Sequence, residues 1–358
     1  MMMHKENWED TKKHVEAFWN KEYYRRCDLA IRVPCPVENA EDLLPLDCQS
    51  VEESYTSPDY LHAFWKNTSL SYQFLGEGIP VCNLNFGTAG HAAYFGATPH
   101  YAPDTIWFSP VLEEPDSSLL CYDPEEKAFQ RHKAIARALA QKAAGDFMVS
   151  MPDNCGILDG LAELRGSQNL LIDMLENPEF VHESRQKILE AWKATQQEFF
   201  EILGENNEGG SSHSWMQLWC PKRHAQIQCD FSVMISPAMY EEFVLPEIEE
   251  CVQFLDNVTY HLDGQEQIRH LDMLLSVKKL DNIQWTPVAG QPRTSAFINE
   301  LQKIQAAGKG LVLLPEKDEV PFLMENLSHN GLHLVVNDIS DPQEAKDLLR
   351  LAEKLAHP

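Results

Sequence analysis

The sequence predicts an α/β fold, a (β/α)8 TIM-type barrel with an extra segment at its N-terminus. Its 358 residues lie in the range of a single barrel with added segments. A capping residue followed by proline recurs before amphipathic stretches, and short apolar runs of strand length alternate with those stretches. We therefore expect a single domain over residues 1–358, with residues 1–75 as a helical extension packed on the barrel.

Helix starts are marked by a capping side chain directly before a proline, which suits the first helical position. The five pairs are Ser57-Pro58, Asp123-Pro124, Asn177-Pro178, Ser236-Pro237 and Asp341-Pro342. Apolar residues follow Asn177 and Asp341 at the 3.6-residue spacing of a helix with one buried face. Pro246 lies within the stretch that follows Ser236, and we expect it to kink or break that helix.

Eight apolar runs are candidates for strands. They cover residues 29–34, 79–84, 146–152, 212–218, 258–263, 283–287, 310–315 and 332–337. Continuous apolar strands that alternate with helices indicate a parallel sheet covered by helices on both faces. Eight strands favour a closed barrel, and a doubly wound open sheet is the alternative.

Composition excludes several classes of partner. The 55 acidic and 29 basic residues give a formal charge of −26, which disfavours nucleic acid and anionic membrane surfaces. No stretch approaches the roughly 20 apolar residues of a membrane span, and the opening residues lack the apolar core of a signal peptide. The nine cysteines are dispersed and include no C-x-x-C pair. We therefore expect reduced thiols and a cytoplasmic location.

Polar side chains at the ends of predicted strands are candidates for the functional site, because reactive groups of parallel barrels collect at the carboxyl ends of the strands. Asp153 follows the third run, and Asp230 precedes the helix that starts at Ser236. We predict catalytic roles for these two aspartates. The predicted substrate-binding residues are His213, Trp215, Trp285 and Glu316.

The most specific pattern is His261-Leu262-Asp263-Gly264, at the end of the run over 258–263. Residues two apart on a strand point to the same face, so the imidazole and the carboxylate project together. Such a pair suits metal ligands or a general base with its orienting carboxylate. The alternative is a histidine that hydrogen-bonds a loop carboxylate without a catalytic role.

Four stretches together resemble the uroporphyrinogen decarboxylase superfamily, over roughly residues 60 to 355. They are Asn85-Phe-Gly-Thr-Ala-Gly90, Asp153 through Gly166, Cys229-Asp230 through Pro246, and His261-Leu-Asp263-Gly264. The superfamily includes decarboxylases and zinc-dependent methyltransferases that move methyl groups to or from corrinoid proteins or coenzyme thiols. The resemblance implies a TIM-type barrel and an enzyme that acts on a small molecule.

The methyltransferase branch holds zinc through a histidine, a cysteine and a later cysteine. His261 matches the first ligand, Asp263 stands at the second, and Asn337-Asp338 supplies no cysteine at the third. Zinc accepts carboxylate oxygen, so the resemblance implies a zinc site at His261 and Asp263. The candidates for the third ligand are Cys220, Glu316 and Asp338. We therefore predict a methyltransferase-like enzyme that acts with a corrinoid carried by a partner protein.

Two other functions remain open. One is a metal-free decarboxylase, in which Asp230 stabilises a cationic intermediate. Uroporphyrinogen decarboxylases hold their substrate's carboxylates with an arginine-rich N-terminal motif, and the matching region here offers only Arg25, Arg26 and Arg32. The other is a barrel without catalytic activity that binds a small ligand.

Overall fold

The computed structural model of the chain describes residues 5, 7–154 and 156–358. Thirteen α-helices in the described part of the chain flank a sheet of mainly parallel strands. The helices are α1 Trp8–Asn20, α2 Val51–Thr56, α3 Pro58–Ser71, α4 Lys127–Lys142, α5 Ile157–Arg165, α6 Ser167–Glu176, α7 Pro178–Leu203, α8 Pro237–Met239, α9 Leu245–Phe254, α10 Leu271–Ser276, α11 Ile298–Ala306, α12 Val320–Asn326 and α13 Pro342–Leu355.

The strands are shorter than the helices. They are β1 Asp28–Pro34, β2 Tyr72–Gly76, β3 Val81–Cys82, β4 Thr98–Ala102, β5 Thr105–Ser109, β6 Met148–Val149, β7 Ser211–His213, β8 Leu218–Cys220, β9 His224–Gln228, β10 Asn257–Asp263, β11 Asn282–Thr286, β12 Gly310–Leu313 and β13 Leu332–Val336.

The main sheet has seven strands in the order β2-β1-β13-β12-β11-β10-β9. Six of these strands are parallel to their neighbours, and β2 pairs antiparallel with β1 at one edge. Consecutive parallel strands joined through helices are the arrangement that the alternation of apolar runs and helices predicts. The carboxyl ends of β9 to β13 therefore lie along a single edge of the sheet.

The remaining parallel strands form a shorter second group. β3 pairs parallel with β6, and the Met151 amide continues this group by donating to the Ser212 carbonyl of β7 at 3.0 Å. The Ser211 hydroxyl of β7 accepts from the His224 amide of β9 at 2.9 Å. The chain is thus a mixed α/β protein whose parallel strands are consistent with a TIM-type fold.

One predicted strand is wrong. The run over 212–218 turns back at residues 214–217, so that β7 and β8 form an antiparallel hairpin. The strand of the main sheet in this region is β9, which is not a continuous apolar run and was not predicted. Its sequence, His224-Ala-Gln-Ile-Gln228, alternates polar and apolar residues, and Ala225 and Ile227 face the apolar core. The polar residues of β9 therefore face the other side of the sheet.

Three of the proposed helix starts are confirmed by side-chain caps. Ser57 accepts from the Tyr60 amide at 3.3 Å, Ser236 from the Met239 amide at 3.2 Å, and Asp341 from the Gln343 amide at 2.9 Å. The helix after Asn177 also begins at its proline, although the Asn177 side chain does not cap it. These bonds satisfy amide groups that have no partner within the helix.

The other two prolines behave differently from each other. The helix start expected at Asp123-Pro124 is wrong, because the Asp123 carboxylate binds the Glu125 amide within a turn and helix α4 begins at Lys127, capped by Glu126. The α-helix that follows Ser236 is interrupted before Pro246, where a π-helical turn over Tyr240–Val244 joins α8 to α9. A π-helical turn changes the backbone hydrogen-bond register, which accommodates a residue without an amide hydrogen.

The segment over residues 1–75 contributes strand β1 to the main sheet as well as helices. Helix α1 packs on the β7–β8 hairpin, where the rings of Trp8 and Trp219 meet edge to face at 5.2 Å. The Trp19 indole donates to the Trp219 carbonyl at 3.0 Å. No helix in the described part of the chain is long and apolar enough to cross a membrane.

Candidate functional site

His261 and Asp263 lie at the carboxyl end of β10, as the sequence predicts. Their side chains lie on the same face of the strand, with His261 Nε2 3.9 Å from Asp263 Oδ1. Gly264 turns the chain immediately afterwards with a φ of +86°, and an added Cβ would lie 2.7 Å from the Val288 side chain. The glycine is therefore required by both the backbone conformation and the lack of space.

Asp230 lies next to this pair, at the end of the neighbouring strand β9. It begins a 3-10 turn over Asp230–Met234. Asp159 of α5 anchors this turn, because its carboxylate accepts from the Asp230 amide at 3.0 Å and from the Phe231 amide at 2.8 Å. The position of Asp230 is thus fixed from the helix layer as well as from the sheet.

Asp230, His261 and Asp263 form a group suited to hold a cation. One ligand atom from each residue lies within 4.8 Å of the others, and all three side chains are half-buried. A nitrogen and two carboxylate oxygens with an open side are a donor set that zinc and other divalent cations accept. Oδ1 of Asp230 is buried and has no hydrogen-bond partner among the described residues, so its lone pairs fit the coordination of a cation.

The electrostatics of the group are unfavourable for free carboxylates. Burial and the negative charges of Asp263 and Asp153 raise the pKa of Asp230 to about 7. Burial and the charge of Asp230 likewise raise the pKa of Asp159 to about 7. A bound cation would offset this repulsion and favour the ionised forms.

Two buried glutamines contact Asp230 and His261, and the sequence analysis did not identify them. Gln228 donates from Nε2 to Oδ2 of Asp230 at 2.7 Å, and Oε1 of Gln284 contacts Nδ1 of His261. Gln228, His261 and Gln284 are direct neighbours across β9, β10 and β11. The signal that could have found Gln228 is its spacing of two residues before Asp230, which puts both side chains on the same face.

Two other predicted residues, Trp215 and Asp153, lie near the group, whereas His213 contacts His224 at the start of β9. The Trp215 ring packs edge to face on His261 at 5.4 Å between ring centroids. Asp153 is close enough for its charge to act on both Asp230 and His213. His213 is buried against the ring of His224 at 5.0 Å, and burial lowers the pKa of His213 to about 4, against the opposing effect of Asp153.

The remaining predicted residues are not brought to the group. Trp285 is fully buried on the opposite face of β11 and packs on Phe297 at 4.9 Å, because Gln284 takes the face next to His261. Glu316 is 64% exposed and pairs with Arg293 at 3.1 Å. Asp338 accepts from the Lys317 amide at 3.1 Å.

Cys220 is also remote from His261. Its Sγ lies 3.7 Å from Oδ1 of Asn257, the first residue of β10, whereas His261 lies four residues further along that strand. This corresponds to about 13 Å at the usual rise of a strand. The reversal of the chain at 214–217 carries Cys220 to the amino ends of the strands. The third residue of the group is thus Asp230 rather than Cys220, Glu316 or Asp338.

Two openings lie near the group: Trp215, which packs on His261, lines the first, and Asp230 lines the second. A cavity of about 270 Å³ is walled by Trp215 and lined further by Arg32, Trp65, Asn83 and Asn337. A groove of about 370 Å³ lies on the side of Asp230 and is edged by Trp107 and Met234, which are 51% and 48% exposed. Volumes of this order are near the lower end of small-molecule sites.

A second group of potential metal ligands lies at the opposite end of the strands, where the parallel strands begin. His14 of α1, Asp28 at the start of β1 and Glu77 are all buried, with one ligand atom from each within 4.8 Å of the others. Arg26 donates to both carboxylate oxygens of Glu77, at 2.6 and 3.0 Å. Asp28 lies 3.4 Å from Nδ1 of His333. The carboxylates of this group therefore have partners within the protein.

Comparison with known proteins gives a fold but no family. No protein-family model matches the chain, and no curated protein matches its sequence. The structure is similar to that of a methyltransferase from Methanosarcina mazei, with a TM-score of 0.55 and 9% sequence identity over 95% of this chain and 97% of that chain. At this identity the similarity shows a shared fold over nearly the whole chain.

Proposed function

We propose that this chain is a metal-dependent, methyltransferase-like enzyme that moves a methyl group to or from a corrinoid carried by a partner protein. The observation that carries the proposal is the convergence of Asp230, His261 and Asp263 at the carboxyl ends of β9 and β10. Active sites of TIM-type barrels lie at this edge of the sheet. The shared fold with a methyltransferase supports the reaction class, and the resemblance of the sequence motifs to the uroporphyrinogen decarboxylase superfamily supports a closed barrel.

In this proposal His261 Nε2 and the carboxylates of Asp230 and Asp263 hold zinc or a similar divalent cation. When bound, such a cation would supply Lewis acidity that polarises the methyl acceptor and lowers its pKa. Trp215 packs on His261 and limits the movement of its imidazole ring, while Asp159 and Gln228 hold Asp230 from two directions. These contacts pre-organise the site before a ligand binds.

The two openings suit a reaction with two partners. The cavity beside Trp215 would take the small substrate, since it is mainly apolar and is enclosed by α3 and the strand ends. The groove beside Asp230 leads to the exposed Trp107 and Met234 and would face the corrinoid protein. Exposed apolar side chains around a site are typical of surfaces that bind a partner.

The decarboxylase alternative has less support at this site. The charges that act on Asp230 come from Asp263 and Asp153, and both are negative. A substrate with many carboxylates would need paired cations there, because a buried unpaired charge is costly.

The proposal is tested by incubating the protein with methylcobalamin and a thiol as the methyl acceptor. The demethylation of methylcobalamin is measured from its visible absorption spectrum. We expect zinc-dependent demethylation by the wild type, and a fall of at least about 100-fold in Asp263→Asn, since metal ligands are essential to such sites. Asp338→Asn is the matched control, because Asp338 also follows a strand but lies outside the group. A wild-type protein that neither retains zinc nor changes the corrinoid spectrum would contradict the proposal.

A further inference from the structure

Gln284 is a buried polar residue whose contacts point to a role in the site. It lies on β11, directly across from His261 on β10, and its side chain is fully buried. Its Oε1 contacts Nδ1 of His261. TIM-type barrel interiors are dominated by Val, Ile and Leu, so an amide at this position needs an explanation.

The orientation of the Gln284 amide is held by a neighbour on its own strand. Nε2 of Gln284 donates to Oγ1 of Thr286 at 2.6 Å, which leaves Oε1 directed at the imidazole. An amide oxygen accepts and cannot donate, so the hydrogen of a neutral His261 resides on Nδ1. The lone pair is then on Nε2, which is the atom that lies 3.9 Å from Asp263 Oδ1.

We propose that Gln284 is a positioning residue that fixes the tautomer and the rotation of His261, so that Nε2 faces Asp230 and Asp263 with a free lone pair. The proposal deepens the function proposed above and rests on it, because a cation held by this group would bind that lone pair. Ligating histidines commonly donate their other ring nitrogen to an oxygen acceptor, which sets their orientation.

The contacts of Gln228 and Gln226 on β9 are comparable to those of Gln284, and Gln226 provides a control. It donates to Asp230 at 2.7 Å and accepts at Oε1 from Gln226 at 2.6 Å. Gln226 is buried one layer below, opposite Thr259 on β10. A substitution of Gln226 therefore has the same burial and chemistry as one of Gln284 without touching His261.

The experiment compares Gln284→Met, Gln284→Glu and Gln226→Met. The tautomer of His261 is read from the ring nitrogen NMR shifts of the metal-free protein in alkaline buffer, with assignment by His261→Gln. We expect the Nδ1–H tautomer in the wild type, in Gln226→Met and in Gln284→Glu, since a carboxylate also accepts from Nδ1. Gln284→Met should populate the Nε2–H tautomer and weaken zinc binding by about 10- to 100-fold in calorimetry.

The outcomes separate the two proposals. An unchanged His261 tautomer in Gln284→Met overturns the positioning role, whether or not zinc binds. A changed tautomer in a protein whose wild type binds no zinc supports the positioning of the imidazole and overturns the proposed metal-dependent function. Gln284→Asn, which withdraws the amide by one methylene group, gives the same test should Gln284→Met not fold.

Discussion

Two groups of histidine and carboxylate side chains lie at opposite ends of the parallel strands, and their surroundings differ. His14, Asp28 and Glu77 are almost fully buried at the amino ends, where Arg26 and His333 accompany the carboxylates. Asp230, His261 and Asp263 are half-buried at the carboxyl ends, and side-chain amides rather than cations hold Asp230 and His261. The ligand types alone do not distinguish the two groups.

The difference shows how charge compensation separates a structural network from a site. Burial opposes the ionisation of Glu77, but Arg26, together with His14 and the Leu29 amide, lowers the pKa of Glu77 below its ordinary value. Asp28 of the same group has imidazoles rather than a guanidinium as partners, and burial and the charge of Glu77 keep its pKa raised. For Asp230 no cation among the described residues opposes burial, and Asp263 and Asp153 raise its pKa further. Perturbed carboxyl groups beside an opening are typical of functional sites, whereas paired buried charges are typical of structural networks.

The largest expected effect on stability is at the amino ends. Glu77→Gln should lower the free energy of unfolding by about 3–5 kcal/mol, because it leaves the buried Arg26 without its carboxylate. In the metal-free protein, Asp263→Asn should change it by less than about 0.5 kcal/mol, since this half-exposed carboxylate has no cationic partner among the described residues. Urea denaturation measures both. Equal losses in the two variants would remove the distinction between the groups.

The next expected effect is on the pH dependence of the free energy of unfolding. A carboxyl group whose pKa is raised in the folded state stabilises the fold at low pH, and this contribution is lost as pH rises through the folded value. For Asp230 the loss extends from about pH 4 to about pH 7. In the metal-free protein the wild type should therefore lose up to about 4 kcal/mol more than Asp230→Asn over this range, at about 1.4 kcal/mol per unit of pKa shift. Identical pH profiles of the melting temperature would show that Asp230 is not under electrostatic strain.

A smaller loss than that of Glu77→Gln is expected from Cys220. Cys220→Ala should lower the free energy of unfolding by about 1 kcal/mol through the loss of a buried sulfur atom. Zinc content should stay at the wild-type level, because Cys220 lies at the amino ends of the strands with Asn257. A loss of zinc in this variant would restore Cys220 as a ligand and place the metal elsewhere.

The sequence was sufficient for a mixed α/β fold with a parallel sheet and for the pair at the end of β10, because both depend on local periodicity. Helix caps such as Ser57 and Asp341 and the spacing of His261 and Asp263 are properties of adjacent residues. Strand β9 was not predicted because Gln226 and Gln228 interrupt its apolar residues on the face opposite Ala225 and Ile227. A criterion of continuous apolar runs excludes such a strand.

The rest of the site depends on contacts between distant parts of the chain. The role of Asp159 requires helix α5 to pack over the turn at Asp230, which no local pattern indicates. The exclusion of Cys220 and Trp285 depends on a reversal of the chain and on the register of β11 with β10. A shift of one residue in register would exchange the faces of Gln284 and Trp285.

Metal content of the purified protein tests the central claim most directly. Elemental analysis of the wild type, His261→Ala and His14→Gln, each prepared without chelators, compares the two groups in one measurement. We predict zinc or a similar divalent ion in equimolar amount in the wild type and in His14→Gln, and its loss in His261→Ala. Metal that persists in His261→Ala and disappears in His14→Gln would place the cation at the amino ends and contradict this account.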